Sequence, residues 1–491
     1  MVWLFSLGVV AGVYRSFSLI VILMLALLAR AALLRAAHAW VCVPLALACG
    51  VVGWASIERV DADRGAVERA ARASGGAAIR LCGWVDEFPQ SGRYGTTFSL
   101  ATRVEGRPVR LWVRAGRFDV GYGDSLAIDA RLASASRTPS VFLVSRGLAG
   151  EARARFEDVR EIGTPRGCPL LREVLWPMHR AARCNLARAL GGEAALPVGL
   201  LLGERGMLDR RAHDAVRGLG ITHLLALSGM HLTMIAALAV FATRWSPRRR
   251  DTVVALALSL YVGVVGNVDS LTRAWWMALL ILASRALVRP PRPLDALGKA
   301  LFLMLLCAPH AVLSVGLQLS FVATFAVLVS LERLPSALLR SPPARAPLWR
   351  RAGIRAGQGA AIAFMVSLVV EVFIAPLQVH HFGRISVVGP LATVVFLIPV
   401  TVLQGMALAA SFGLPVVGEP LAALLAWASR ATCEAIVLAG TTAPEPLEAP
   451  EPHWFWYYAA VLVVCARPRR AVAWAMAAAG IALSLRLGAG S

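Results

Sequence analysis

Charge is scarce in this sequence. Only 16% of its 491 residues are Asp, Glu, Lys or Arg, and 58% are hydrophobic. A soluble protein carries roughly 25% charged residues. Several uncharged stretches approach or exceed the roughly 18–20 residues a helix needs to cross a bilayer. A soluble globular chain is thereby excluded, and a polytopic α-helical membrane protein is expected, with about 10–13 spans. Acid is scarcer still: 29 acidic residues stand against 50 basic ones, for a net charge of +21, and arginine supplies nearly all of the excess. Cytoplasmic loops filled by the positive-inside rule account for such a bias. A polyanionic partner, nucleic acid or anionic lipid, is the sharper alternative.

Several signatures are missing. None of the eight cysteines forms a CxxC pair, which removes the zinc and thioredoxin patterns. Cys42, Cys49, Cys307 and Cys465 lie in or at apolar spans and are expected to pack. Cys82, Cys168 and Cys184 fall in a polar region, where a disulfide between two of them is left open. There is no phosphate-binding P-loop, so an ATP motor would have to be a partner. No GxSxG elbow occurs. No cofactor or metal is expected, and no enzyme activity. Residues 1–29 are apolar, but no clear cleavage site follows and a second apolar span (39–56) comes soon after. The stretch is therefore read as membrane-retained.

What is present falls into zones. Residues 1–56 read as N-terminal transmembrane helices. Residues 57–165 turn polar, with short alternating runs such as TTFSLATRV and VRLWVR bounded by QSGR and EGRP. That pattern predicts a small antiparallel sheet or barrel, and an OB-like barrel fits the length and strand count. Such barrels often bind single-stranded nucleic acid, and a plain structural β-domain is the equal alternative. Residues 166–220 form an amphipathic helical segment, with EVLWPMHRAARCNLARALGG suited to a membrane surface. Residues 221–440 are mostly apolar, and 441–491 hold further C-terminal transmembrane helices. Candidate spans are 221–242, 252–266, 273–288, 297–308, 311–331, 357–377, 387–411, 418–440, 454–466 and 471–487. Basic loops (RWSPRRR, RALVRPPR, the arginine-rich 332–355 and RPRR) alternate with loops that are not basic, such as NVDSLT and TTAPEPLEAPEPHW. With the basic loops cytoplasmic, residues 57–220 fall outside the cytoplasm of a multi-pass inner-membrane protein.

Polar residues inside the apolar zone are costly and face a bundle interior or a water-filled path. They include Asn267, Asp269, Arg273, Gln318, Ser320, Glu371 and Gln404. The run ITHLLALSGMHLTM (221–234) holds His223, Ser228, Gly229 and His231 together. On one helix Ser228 and His231, at i and i+3, would share a face. Three readings compete: an intramembrane hydrolase using Ser228 and His231, a Gly-containing structural break, and a polar constriction lining a path.

GLGITHLLALSGMHLTMIAAL (218–238) resembles the HLLAxSGxHxxxI motif of the ComEC/Rec2 competence protein family. LPVGLLLGERGMLD (196–209) is similar to its LLLGxR element. The stretch 272–328, with RAWWM and GLQLSF, and EVFIAPLQVHHFGRISVVGPLATVVFLIPV (371–400) follow in the family's order. The resemblance covers about 190–440 and, more weakly, the 78–135 barrel region. It implies an inner-membrane channel for uptake of single-stranded DNA in natural transformation. A transporter of another anionic or lipid-linked substrate is the alternative class. Many members carry a metallo-β-lactamase-like domain, but no HxHxDH cluster occurs here, so strand degradation would fall to another protein. Where the family often has Asn in the last loop, this chain has Thr393.

By the resemblance, His223, Ser228, Gly229, His231, Arg273, Gln318, Ser320, Glu371, Pro376, Phe382 and Gly383 line or shape the path. Arg285, Asp295, Gly316 and Phe321 also match motif positions. Arg273 is the first candidate for a phosphate contact, against a snorkelling anchor. Arg285 and Asp295 would suit a structural ion pair. Candidate DNA-binding residues of the barrel are Arg80, Trp84, Arg93, Tyr94, Arg110, Trp112 and Arg114; Phe98 and Phe118 are further aromatics there. Singly, each aromatic is more often core than platform. Expected partners are single-stranded DNA, membrane lipids, and separate receptor, helicase and nuclease proteins, with self-association left open.

Overall fold

The structure is a computed structural model that describes residues 39–448 apart from 94, 134–139, 245, 267, 291, 333, 335–337, 339, 344–346 and 413–418. Tyr94, Asn267 and the expected spans at 1–29, 454–466 and 471–487 lie outside the described residues.

The elements in chain order begin with helix α1 (Ala39–Ala73), then strands β1 (Ile79–Val85), β2 (Gln90–Gly92), β3 (Gly95–Val104), β4 (Arg107–Ala115) and β5 (Ser125–Leu132). Helix α2 (Ser140–Ser145) precedes strand β6 (Gly150–Glu161). A π turn at Leu171–Leu175 leads into α3 (Trp176–Leu190), followed by α4 (Ala195–Leu202), α5 (Arg210–Gly218), α6 (Thr222–Leu225) and α7 (Gly229–Ala242). Then come α8 (Pro247–Val265), α9 (Asp269–Ala286), α10 (Pro293–Cys307), a 3₁₀ turn at Pro309–Leu313 and α11 (Val315–Leu331). The last described elements are α12 (Leu348–Phe382), β7 (Arg384–Ile385), α13 (Gly389–Ser411), α14 (Glu419–Thr442) and β8 (Leu447–Glu448).

The alternating runs fold as a closed barrel in the order β1-β5-β6-β4-β3, with β3 returning to β1 and β2 extending β3. All neighbours are antiparallel except β4 and β6, which run parallel, so the expected all-antiparallel pairing is corrected at that seam. This is the strand order of an OB-type Greek-key barrel. Period-two alternation points Leu81, Val85, Phe98, Leu100, Leu111, Val113, Leu126 and Ile128 inward. Val67 of α1 joins the same core. Gly150 makes room for it, since a Cβ there would stand 2.8 Å from Val67 Cγ1.

Two compact units result. One runs to Leu208 and takes in Leu227–Leu317 and Ala407–Ala423; the other holds Asp209–Ala226, Gln318–Met406 and the residues from Leu424 on. In the first unit, α3 is amphipathic as expected. Its apolar face is nevertheless turned into protein, burying Trp176, His179, Leu186 and Leu190, so it does not lie along a membrane surface by that face. The reason is aromatic: Trp176 stacks on His179, and both meet Phe88 from the β1–β2 connection.

Helices α12, α13 and α14 are long and apolar enough to cross a membrane, and α7 and α11 are shorter apolar helices. The chain is thus a helical membrane protein carrying an OB-like barrel. The expected span 221–242 is corrected: α6 ends at Leu225 and α7 starts at Gly229, so the apolar run is broken in the middle. The expected span 357–377 extends to 348–382, and Pro376 sits inside this helix, where its missing N–H breaks the ladder. Cys82, Cys168 and Cys184 are all free thiols.

Candidate functional site

The break in the apolar run is built by a capping box. Ser228 is extended (φ −135°, ψ 179°) and caps α7; its Oγ accepts from Met230 N–H. His231 occupies the position where Glu or Gln usually completes such a box. Its Nδ1 accepts from Ser228 N–H at 3.1 Å, and its Nε2 lies 2.7 Å from Leu200 O. A carbonyl can only accept, so Nε2 carries the proton and the ring is a neutral imidazole of one tautomer. His231 is fully buried.

Leu200 lies in the last turn of α4, and its carbonyl is one of the orphan acceptors at a helix end. His231 satisfies that one, and Tyr261 OH donates to the next, Leu201 O, at 3.0 Å. Ser270 Oγ donates to Leu227 O just before the cap. Gly203, in the left-handed region at φ 79°, ends α4, and a Cβ there would lie 2.6 Å from Leu227 Cδ1. Gly229 packs beside Ala274 of α9. The LLLG and SGxH motifs are therefore two halves of one joint.

That joint answers the hydrolase reading. Ser228 Oγ is 3.5 Å from His231 Nδ1, but that lone pair is taken by Ser228 N–H, and the Nε2 proton goes to Leu200. No lone pair remains to take the hydroxyl proton. Arg273 is buried (7% exposed) on α9, one turn beyond Asp269. It is packed inside the protein, unlike a snorkelling anchor. Asp269 accepts from Ser314 Oγ, and Gly316 lies close to its carboxylate. Arg285 and Asp295 are both exposed and do not pair with one another among the described residues, which corrects the expected ion pair.

The motif's first half belongs to the second unit. His223 Nδ1 approaches Gly220 O, and its Nε2 is 3.4 Å from Thr393 Oγ1. Ser386 of the FGRIS loop donates to Gly218 O, and a Cβ on Gly220 would meet Ser386 Cβ at 2.8 Å. Glu371 bonds Gln378 on α12, while its buried Oε1 has no hydrogen-bond partner among the described residues. His381 Nε2 donates to Gln318 Oε1 at 2.9 Å, which ties the QLSF element to the end of α12. Ser320 is half-buried, Pro376 buried and Phe382 exposed, and Gly383 ends the helix at φ 70°.

The barrel candidates separate by burial. Trp112 is 7% exposed, packed with Leu143 and Leu148 beneath the β5–β6 connection, with the Arg146 guanidinium 5.3 Å above its ring. Phe98 is fully inside, and Phe118 packs against the core. Trp84 is half-buried, edge-on to Tyr122. Arg80 forks onto Asp129, and Arg110 binds Asp86 and Glu87. Acid beside Arg110 and Arg80 holds both guanidiniums above the usual range, although burial works against this at Arg110. Arg93 is exposed, its backbone N–H bonded to Gly206 O.

Two features escaped the sequence reading: the neighbours of the candidate Arg114, and a buried cluster. On the outer barrel face Arg114 lies opposite Arg153, and Arg153 opposite Arg131, an exposed row across β4, β6 and β5. Like charges opposed across strands repel. Glu151, 1% exposed, pairs with Arg114 at 3.0 Å and Arg153 at 3.3 Å. In the buried cluster, His179 Nδ1 meets Val264 O and Nε2 meets Glu204 Oε1, each at 2.8 Å. Arg183 stands 3.8 Å from Glu204 and donates to Ser91 Oγ of the barrel. Glu204 follows LLLG directly, which was the available signal.

Fold and motifs together define a membrane protein in which an OB-like barrel and a helical domain with broken helices share one chain. A sequence model of the family described as "Competence protein" matches residues 200–471, more than half of the chain. The chain belongs to that competence protein family. It is similar to "ComE operon protein 3" of Bacillus subtilis (strain 168), 26% identical over 193 residues, which are 39% of this chain and 22% of the relative. The matched region thus spans about a fifth of that relative's length. No solved structure matches the chain.

Proposed function

We propose that the chain forms an inner-membrane passage by which one strand of incoming DNA reaches the cytoplasm during natural transformation. The observation that carries this reading is the broken apolar run inside the family match, where α6 ends and α7 begins. Helix ends at membrane depth are tolerated where backbone is buried in protein or lines a water-filled path. His223, Arg273 and Gln318 are polar groups near helix ends, and Glu371 lies inside α12 before Pro376. The basic loops are cytoplasmic in this reading, and the barrel meets DNA outside. Its arginine row, Arg114, Arg153 and Arg131, suits a phosphate backbone better than the covered Trp112 suits a base. A motor, a receptor and a nuclease come from separate proteins.

The test is a salt titration of a labelled single-stranded oligonucleotide against the purified full chain in detergent. Each phosphate contact contributes about 0.7 to the slope of log K against log salt. Arg131→Gln with Arg153→Gln is expected to flatten that slope by about 1.4. Binding that ignores salt, or a slope unchanged in the double variant, overturns the role of the row. No DNA binding at low salt favours the transporter of another anionic substrate.

A further inference from the structure

The α9–α10 hairpin ends in a cavity of about 320 Å³. Arg289 and Arg292 from the connection and Lys299 from α10, the chain's single lysine, line it, with Asp295 as the one acid. None of these four side chains forms an ion pair among the described residues. Three cations against one carboxylate leave the cavity with an excess of two positive charges. Its remaining wall includes Leu280 and Ile281 of α9.

The connection itself is unusual. Leu287 is 66% and Val288 92% exposed, apolar side chains held out between Arg285 and Arg289. Val288 stands at φ 54°, where a β-branched residue is strained. Arg289 N–H bonds Ser284 O and Val288 N–H bonds Arg285 O, so a helix-closing turn that normally takes Gly is forced on valine. Exposed aliphatics beside arginines are the composition of a segment seated at the membrane–water boundary, chains inward and guanidiniums at headgroup level.

We propose that this cavity binds the headgroup of an anionic phospholipid, with the phosphate between Arg289, Arg292 and Lys299 and an acyl chain along Leu280 and Ile281. Basic pockets between membrane helices are known to serve such headgroups. The apolar wall and the exposed Leu287–Val288 tip favour lipid over nucleic acid, which would be met by aromatic platforms. The site is independent of the DNA-passage reading.

The test uses the purified full chain in detergent with phosphatidylglycerol, phosphatidylcholine, inorganic phosphate or a 12-nucleotide single strand, each added separately and bound lipid read by native mass spectrometry. Phosphatidylglycerol is expected to bind about 30-fold more tightly than phosphatidylcholine, given about a fivefold gain for each of the two unopposed basic groups. Arg289→Gln/Arg292→Gln/Lys299→Gln is expected to bring that preference to within about threefold. Asp295→Asn is expected to raise it, a gain that a misfolded protein would not give. Arg350→Gln/Arg351→Gln/Arg355→Gln removes the same charge elsewhere and is expected to leave the preference intact. Equal loss in that control overturns the site. So does an absence of lipid preference, displacement of the lipid by phosphate at low millimolar concentration, or oligonucleotide binding lost only in the cavity variant.

Discussion

Replacing His231 tests the joint between the LLLG and SGxH motifs. His231→Ala removes the donor to Leu200 O and the acceptor for Ser228 N–H. Leu200 O is then left unpaired in a buried site and Ser228 N–H in a half-buried one, at about 1–3 kcal/mol each. The loss totals about 4 kcal/mol, and in a chain of this size the apparent midpoint falls by roughly 5–10 °C. His231→Gln offers an oxygen to Ser228 and an N–H to Leu200, so its loss stays below about 2 kcal/mol. His231→Glu completes the capping box but has no donor for Leu200 O, and it fares no better than Ala. Tryptophan fluorescence of the detergent-purified full chain during heating reads the series. The expected order is wild type, Gln, then Ala and Glu. An order with Glu above Gln, or Ala equal to wild type, refutes the joint. Ser228→Ala completes the test: a lost cap costs about 1 kcal/mol and Ser228→Asn restores it. Complete loss of function in Ser228→Ala at an unchanged midpoint would revive the hydrolase.

Two other perturbations follow from the same geometry. Gly203→Ala places a methyl at φ 79° and 2.6 Å from Leu227 Cδ1, and is expected to lower the midpoint by several degrees. Gly192→Ala, with open space around it, is expected to leave the midpoint unchanged, and equal effects at the two sites contradict the joint. In the barrel, burial raises the Asp124 carboxyl above the usual carboxylate range, only partly opposed by Gly121 N–H. The folded state then binds more protons than the unfolded one between the unfolded value, near 4, and the raised value, so stability falls as pH rises through that window. Asp124→Asn removes this slope. A difference between wild type and variant that grows toward low pH with the opposite sign refutes the assignment.

The barrel was legible because period-two alternation survives in TTFSLATRV and VRLWVR and because Gly and Pro punctuate the turns. The parallel seam between β4 and β6 was not, since it joins residues about 40 positions apart and carries no local pattern. The membrane class followed from composition. The break at Ala226–Ser228 was one of three readings the run allowed; sequence did not single it out, because its capping box uses His231 where Glu or Gln is usual, and histidine in an apolar run reads equally as a buried polar residue. Pairing of Arg80 and Arg110 with acids was hidden for the same reason as the His179–Glu204 contact: the partners are 23 to 49 residues away. The arginine row needs the strand register, which sequence spacing alone leaves open.

The most direct test of the central claim is genetic. The gene is deleted in a strain shown to be competent, and chromosomal integration of marked DNA is measured together with DNA held at the cell exterior. Complementation uses wild type and Arg273→Ala, with membrane levels matched. The account predicts loss of transformation on deletion while exterior DNA persists, full return with wild type and partial return with Arg273→Ala. Unchanged transformation in the deletion strain contradicts it.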